Sequence, residues 1–247
     1  MRQVVFCERI RSVPSADSNR TLQVREATTK TGHSGLNRCP LDWVGEDGIN
    51  SYSDIGQERI DYWDPDNLSL SLFRYKPGKL GQTDKATQFV LCFKESGSAC
   101  LSTACVQVYK ALGKFSEDWK REFDCRYVVP VPSHLAHEVS PSSKLMCGFI
   151  AKMFPCLRYP EDLLFRKESV TAAHMAYHGQ RPTATEHFRS LGCRKADLDG
   201  AGVILFDDIR TTGDTSQACR WRLQQNAKCG EVVRLFLART FTGTDSE

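Results

Sequence analysis

Residues 202–206, Gly-Val-Ile-Leu-Phe, run straight into two adjacent aspartates, and this short stretch constrains the fold more than any other. An unbroken apolar strand, without polar alternation, suits a parallel sheet covered on both faces, because each face then needs a hydrophobic side chain. A second such run, EVVRLFLART at 231–240, reads as another buried strand, and residues 215–226 between them can form a helix. Strand, helix and strand in succession imply an α/β fold with a parallel sheet.

The same alternation extends toward the N-terminus. QFVLCF (88–93) reads as a strand, and residues 98–115 carry apolar side chains at helical spacing. RYVVPVP (126–132) is a β-branched run closed by prolines. Ser140 followed by Pro141 is a helix start, a cap residue and then proline at the first helical position. Leu145, Met146, Phe149, Ile150 and Met153 form the apolar face of that helix, and DLLF (162–165) is a short strand. LSLSLFRY (68–75) alternates like a half-buried strand that PGK (77–79) ends. Upstream, residues 11–67 are rich in Ser, Asn, Asp, Gly and Thr, and SADSNR, TTKTGHSG and GEDGINSYSD read as loops. The expected organisation is a loop-rich N-terminal extension over 1–67, an α/β domain over 68–240 and a flexible tail over 241–247. Residues 166–201 are long, polar and weakly periodic, more than a compact domain tolerates without purpose. Residues 167–200 are therefore expected to be poorly ordered without a ligand.

Composition excludes more than it selects. The 247 residues are 40% hydrophobic and 26% charged, with a formal net charge of +3, ordinary for a folded chain. Lys and Arg are scattered, so charge gives no argument for nucleic acid or an anionic membrane. No apolar stretch is long enough to span a bilayer. The first apolar run is broken by Glu8 and Arg9, too early for a signal-peptide core. A cytoplasmic location is expected. Eleven cysteines are present, but no two form a C-x-x-C pair, which argues against structural zinc. An odd count without a secretion signal argues against a disulfide framework, so most should be reduced, buried small hydrophobes.

The chemistry concentrates at residues 203–215, VILFDDIRTTGDT. In parallel sheets, ligands bind beyond the carboxyl ends of the strands. Asp207 and Asp208 stand at that end, and residues 211–215 lead into the following helix. A helix N-terminus offers free N–H groups and partial positive charge, which suits a phosphate. Gly213 lets the backbone approach closely, and Thr211, Thr212 and Thr215 can donate hydroxyl hydrogen bonds. Two carboxylates beside a phosphate make sense if they grip sugar hydroxyls or a divalent cation. A diol at one end and a phosphate at the other describe a ribose 5-phosphate. The bland alternative, residues that merely cap a helix, would need only one of them.

All 13 positions of 203–215 resemble the phosphoribosyl-pyrophosphate-binding motif of type I phosphoribosyltransferases. RYVVPVPSH (126–134), FRYKPG (73–78), LLFRKES (163–169) and HGQRPTATEHF (178–188) are similar to the competence-associated, ComF-type branch. The resemblance implies a type I phosphoribosyltransferase-like parallel sheet flanked by helices, with phosphoribosyl pyrophosphate or a nucleotide as ligand and Mg²⁺ as cofactor. It implies transfer of ribose 5-phosphate to an acceptor with release of pyrophosphate. The alternative is a non-catalytic nucleotide-sugar-binding regulator or effector, in DNA uptake or a defence cassette. By resemblance, Asp207, Asp208, Arg166 and Arg181 are catalytic. The ribose and its 5-phosphate fall on Asp207, Asp208, Thr211, Thr212, Gly213, Asp214 and Thr215. Pyrophosphate falls on Pro132, Ser133 and His134, and magnesium on Asp207 and Asp208. No membrane partner is implied, and the resemblance leaves room for a homodimer. The chain departs from the branch in SHLAHEVSPSSK (133–144), and no four-cysteine module precedes the domain.

His174 and His178, four apart, would share a helix face as metal ligands do, but the acid of an H-E-x-x-H pattern is missing. Trp119 and Trp221 read as packing residues rather than base-stacking platforms.

Overall fold

The computed structural model describes residues 7–14, 21–28, 52, 54–81, 83–95, 98–171 and 181–241. The chain divides into two compact units, Met1–Cys39 and Pro40–Glu247. Within the first, strands β1 (Cys7–Pro14) and β2 (Thr21–Thr28) pair antiparallel in unbroken register from Cys7 opposite Thr28 to Pro14 opposite Thr21. The expected loop segments 15–20, 28–35 and 45–54 fall largely outside the described residues.

The second unit is α/β. Its five-stranded sheet comprises β3 (Tyr62–Asp64), β4 (Ser69–Tyr75), β5 (Cys125–Pro130), β8 (Gly202–Arg210) and β9 (Val232–Thr240), in the order β3-β4-β9-β8-β5. Strand β3 pairs antiparallel with β4, while β4, β9, β8 and β5 are mutually parallel. Residues 62–64, upstream of the boundary expected at 67, thus contribute the edge strand of this sheet. A separate antiparallel pair joins β6 (Leu164–Arg166) to β7 (Leu191–Cys193).

Side-chain alternation explains the unbroken apolar runs. Ile204, Phe206, Val233 and Leu235 face one hydrophobic layer with Phe89, Phe93, Val108, Met146 and Ile150. That layer is built by α1 (Lys85–Lys94), α2 (Ser98–Phe123) and α3 (Pro141–Met153). Val203, Leu205 and Val232 face the opposite layer with Ala218, Cys219 and Leu223 of α5 (Asp214–Asn226). Both faces are covered, as the sequence run requires.

Three local expectations change. The run 88–93 belongs to helix α1 rather than a strand. Ala86, Phe89, Val90 and Phe93 are buried at spacings of three and four, and the Asp84 carboxylate caps the helix by accepting from the Thr87 N–H. Consecutive apolar residues imitate a strand, but the burial period and the cap decide for helix. Strand β4 is not half-buried: Ser69 and Ser71 are as buried as Leu70 and Leu72. Its polar side lies within the sheet's second face, where Ser69 Oγ accepts from Arg210 Nη1 at 2.9 Å. The stretch 167–200 is partly regular, with α4 (Ala184–Ser190) leading into β7. Thr183 and Glu186 close a capping box at its start, a T-x-x-E signal present in the sequence. Residues 172–180, with His174 and His178, lie outside the described residues.

Among the described residues one disulfide forms, between Cys92 in α1 and Cys100 in α2, where the sequence led to no expectation of a disulfide and to mostly reduced cysteines. These cysteines flank the α1–α2 junction, a pairing set by helix packing that spacing alone does not disclose. Cys105, Cys125, Cys147 and Cys219 are free and buried, and burial pushes the Cys105 and Cys125 thiols up to about 12. No helix among the described residues is long and apolar enough to cross a membrane.

Candidate functional site

The carboxyl ends of β8 and β5, the start of α5 and the β6–α4 region converge on one place. Asp207 and Asp208 lie in the last four residues of β8, where Asp207 still pairs with Phe236 of β9. Both are half-buried, and each carboxylate turns back on the chain: Asp207 Oδ1 accepts from Asp208 N–H at 3.0 Å, and Asp208 Oδ1 accepts from Ile209 N–H at 2.7 Å. Burial, and then the neighbouring Asp208 charge, hold the Asp207 carboxyl well above the usual carboxylate range. Lys94, at the end of α1, reaches Asp208 Oδ2 at 3.8 Å.

The turn that follows leads into α5. Thr211 and Thr212 are exposed, and Gly213 caps α5 in the left-handed region with φ 87°. The first backbone bond within α5 runs from Gln217 N–H to Gly213 O, at 2.9 Å. The N–H groups of Asp214, Thr215 and Ser216 therefore precede the helix's own i→i−4 ladder. Thr212 Oγ1 meets Asp214 N–H at a long 3.4 Å. A methyl added at Gly213 would find Arg210 Nε at 3.5 Å, ordinary contact distance, so space does not demand glycine but the positive φ does. Gly213→Ala should cost about 1–2 kcal/mol, a fall in melting temperature of about 2–8 °C. The melt should stay cooperative while protection by a phosphate-bearing ligand disappears. Unchanged ligand protection would remove this turn from the site.

Arg166 sits behind the aspartates and is 1% exposed. Its Nε donates to Ser133 O and its Nη1 to Ser190 Oγ, so it ties the loop after β5 to the end of α4. Burial lowers its pKa, against the opposing pull of Cys219 and Asp207. Placed so, the guanidinium shapes the loop rather than projecting from it. Pro132 is buried, Ser133 half-buried and His134 exposed. Further bonds hold the loop: Ser133 N–H to Glu138 O, His137 N–H to Arg166 O and Val170 N–H to His134 O. Arg181 is exposed, next to the segment outside the described residues.

His187 has no role that its sequence position alone suggests, yet it reaches the same place. It is 7% exposed, and its Nε2 lies 3.2 Å from Thr215 Oγ1. Its Nδ1 is buried without a partner among the described residues. Burial, and then Arg166, lower its pKa. The capping-box pattern T-x-x-E at 183–186 is the sequence signal that could have placed it on a helix beside the loop.

Trp221 is partly exposed and meets the Phe188 ring edge-on, with centroids 6.3 Å apart, a packing role. Trp119 belongs to α2, and its side chain is outside the described residues. Among the described residues no group of three or more His, Cys, Asp or Glu is arranged to hold a metal. Magnesium, however, takes one or two carboxylates and completes its shell with ligand phosphates and water. Asp208 Oδ2 and the second oxygen of Asp207 fit that lesser demand.

No known family model matches the sequence, and no curated protein matches it.

Proposed function

We propose that the unit Pro40–Glu247 is a type I phosphoribosyltransferase-like domain of the ComF kind that binds phosphoribosyl pyrophosphate. One observation carries this reading. The acid pair at the end of a central parallel strand runs through a left-handed glycine into a helix N-terminus, while a buried arginine brings the loop 132–134 to the same end. An acidic clamp beside an anion cradle suits a ligand with hydroxyls next to a phosphate.

In this reading the 5-phosphate lies on residues 211–215, held by first-turn N–H groups and threonine hydroxyls. Asp207 and Asp208 accept from the ribose diol. Loop 132–134 receives the pyrophosphate, with Arg166 as its positioning residue and exposed Arg181 available to the departing charge. The acceptor forms a bond to the anomeric carbon as the bond to pyrophosphate breaks, and the electron pair leaves with pyrophosphate. Bound magnesium would neutralise phosphate charge. The chain's part is to position the reacting groups and stabilise developing charge, since pyrophosphate is already a good leaving group.

A specific observation favours the second reading, a nucleotide-sugar-binding effector without transfer. Burial and the neighbouring Asp208 charge disfavour the ionised form of Asp207, which weakens it as a cation ligand while leaving it able to bond a hydroxyl. Labelled phosphoribosyl pyrophosphate with magnesium and a panel of bases separates the two. Label in a base product with stoichiometric pyrophosphate release supports the enzyme, whereas saturable binding without release supports the effector. Absence of binding overturns both.

A further inference from the structure

The polar face of the sheet beneath α5 holds more positive charge than its own carboxylates balance. Arg234 of β9 lies between Leu205 of β8 and Ser69 of β4 in the register, and is 2% exposed. All its bonded acceptors are neutral. Nε and Nη2 donate to Asn67 O at 3.1 and 2.6 Å, and Nη2 also to Asn67 Oδ1 at 3.1 Å. Nη1 meets Ser216 Oγ and Gln217 Oε1, each at a long 3.4 Å. Arg210 stands beside it, its guanidinium 6.0 Å above the Phe236 ring, and is paired with Asp64 at 2.9 Å. Of the two guanidiniums, only Arg210 has a bonded carboxylate. Burial, and then Arg210 and Arg220, lower the Arg234 pKa to about 10, so it remains charged at neutral pH.

This cation is at the wrong end of a helix. Ser216 and Gln217 belong to the first turn of α5, whose partial positive charge repels a guanidinium. Both arginines also line the turn: a methyl on Gly213 would stand 3.5 Å from Arg210 Nε and 3.9 Å from Arg234 Nη1. From the other side, buried His187 meets Thr215 with its Nδ1 unpartnered among the described residues. Burying a cation without a bonded carboxylate, against a helix N-terminus, is costly unless an anion joins it.

We propose that Arg234 and Arg210 form a cationic floor under the turn 211–215 that makes this site select a doubly charged phosphate monoester over singly charged anions. The inference rests on reading that turn as a phosphate cradle. If Arg234 were only a tie to the β3–β4 turn, its effect would not depend on ligand charge.

Calorimetry with ribose 5-phosphate and ribose 5-sulfate tests it. Both carry the same sugar; at about pH 7.5, above the second phosphate ionisation near 6, the first is largely a dianion and the second a monoanion. The wild type should prefer the phosphate ester by on the order of tenfold or more, the expectation for an added charge at a partly desolvated cationic site. Arg210→Gln and Arg234→Gln should bring that ratio toward unity, and Arg234→Lys should keep most of it. A wild type that binds both esters equally, or folded variants with the wild-type ratio, would overturn the inference and leave the cradle standing. A wild type that binds neither ester overturns the cradle reading itself. Should Arg234→Gln fail to fold, the ratio for half-buried Arg210→Gln decides.

Discussion

Replacing Asp207 and Asp208 together by asparagine is expected to leave the ligand-free melting temperature unchanged or higher, and to abolish most of the stabilisation by phosphoribosyl pyrophosphate with magnesium. The first half follows from charge. Two adjacent carboxylates repel, and burial already disfavours the ionised form of Asp207. Asparagine keeps the Oδ1 acceptors that bond Asp208 N–H and Ile209 N–H. The double variant gives up the Lys94–Asp208 ion pair, but at 3.8 Å and with Lys94 half exposed that pair is of a class worth little.

The pH dependence has a definite sign. An acid with its folded pKa raised binds more protons folded than unfolded, so stability falls as pH rises from the unfolded value near 4 toward the folded one, and stays low above it. The gain from Asp207→Asn should therefore be largest at neutral pH and vanish toward about pH 4. For the second half, ligand at about 100 times its dissociation constant stabilises the wild type by about 2.7 kcal/mol. That is a rise of about 5–10 °C for a chain of this size. The double variant should lose most of it. If instead it melts far below the wild type without ligand, the acid pair is structural and the site assignment falls.

The sheet was legible where burial on both faces leaves a sequence no choice. Residues 202–206 and 231–240 could be little else, and they are the parallel strands β8 and β9. Residues 88–93 misled because five consecutive apolar residues satisfy either period, and only Asp84 and buried Ala86 upstream resolve them as helix. The serines of β4 misled for another reason. Alternation predicts that polar residues face water, but Ser69 faces Arg210 under α5. That burial depends on arginines more than a hundred residues away in sequence.

At the candidate site, everything local was visible: the acids, the glycine and the threonines are contiguous. What was not visible comes from long range. His187 reaches Thr215 from α4, and Arg234 enters from β9. No spacing rule connects these residues, because their meeting depends on the order of strands in the sheet.

Arg166 shows how such placement changes a role, and Arg166→Met is expected to destabilise the protein by about 2–4 kcal/mol. The guanidinium is 1% exposed and bonds Ser133 O and Ser190 Oγ. Methionine fills similar space but offers no donors, so both acceptors lose their partner at a cost of about 1–3 kcal/mol for a buried group left unsatisfied. Ser190 Oγ also donates to His187 O at 2.8 Å, so the strain reaches the helix that holds His187 against Thr215. A fall in melting temperature of about 5–15 °C follows. Arg166→Lys keeps the charge but not the fork that spans both oxygens, and should fall between. A double-mutant cycle separates charge from tethering. Asp207 and Arg166 interact electrostatically, so Arg166→Met should cost less in an Asp207→Asn background, with a coupling of about 1 kcal/mol. The tether to Ser133 and Ser190 does not involve Asp207, so most of the destabilisation should persist there. A variant that melts within a degree or two of the wild type would show that loop 132–134 keeps its place without Arg166. The positioning role would then be wrong, whatever the loop binds.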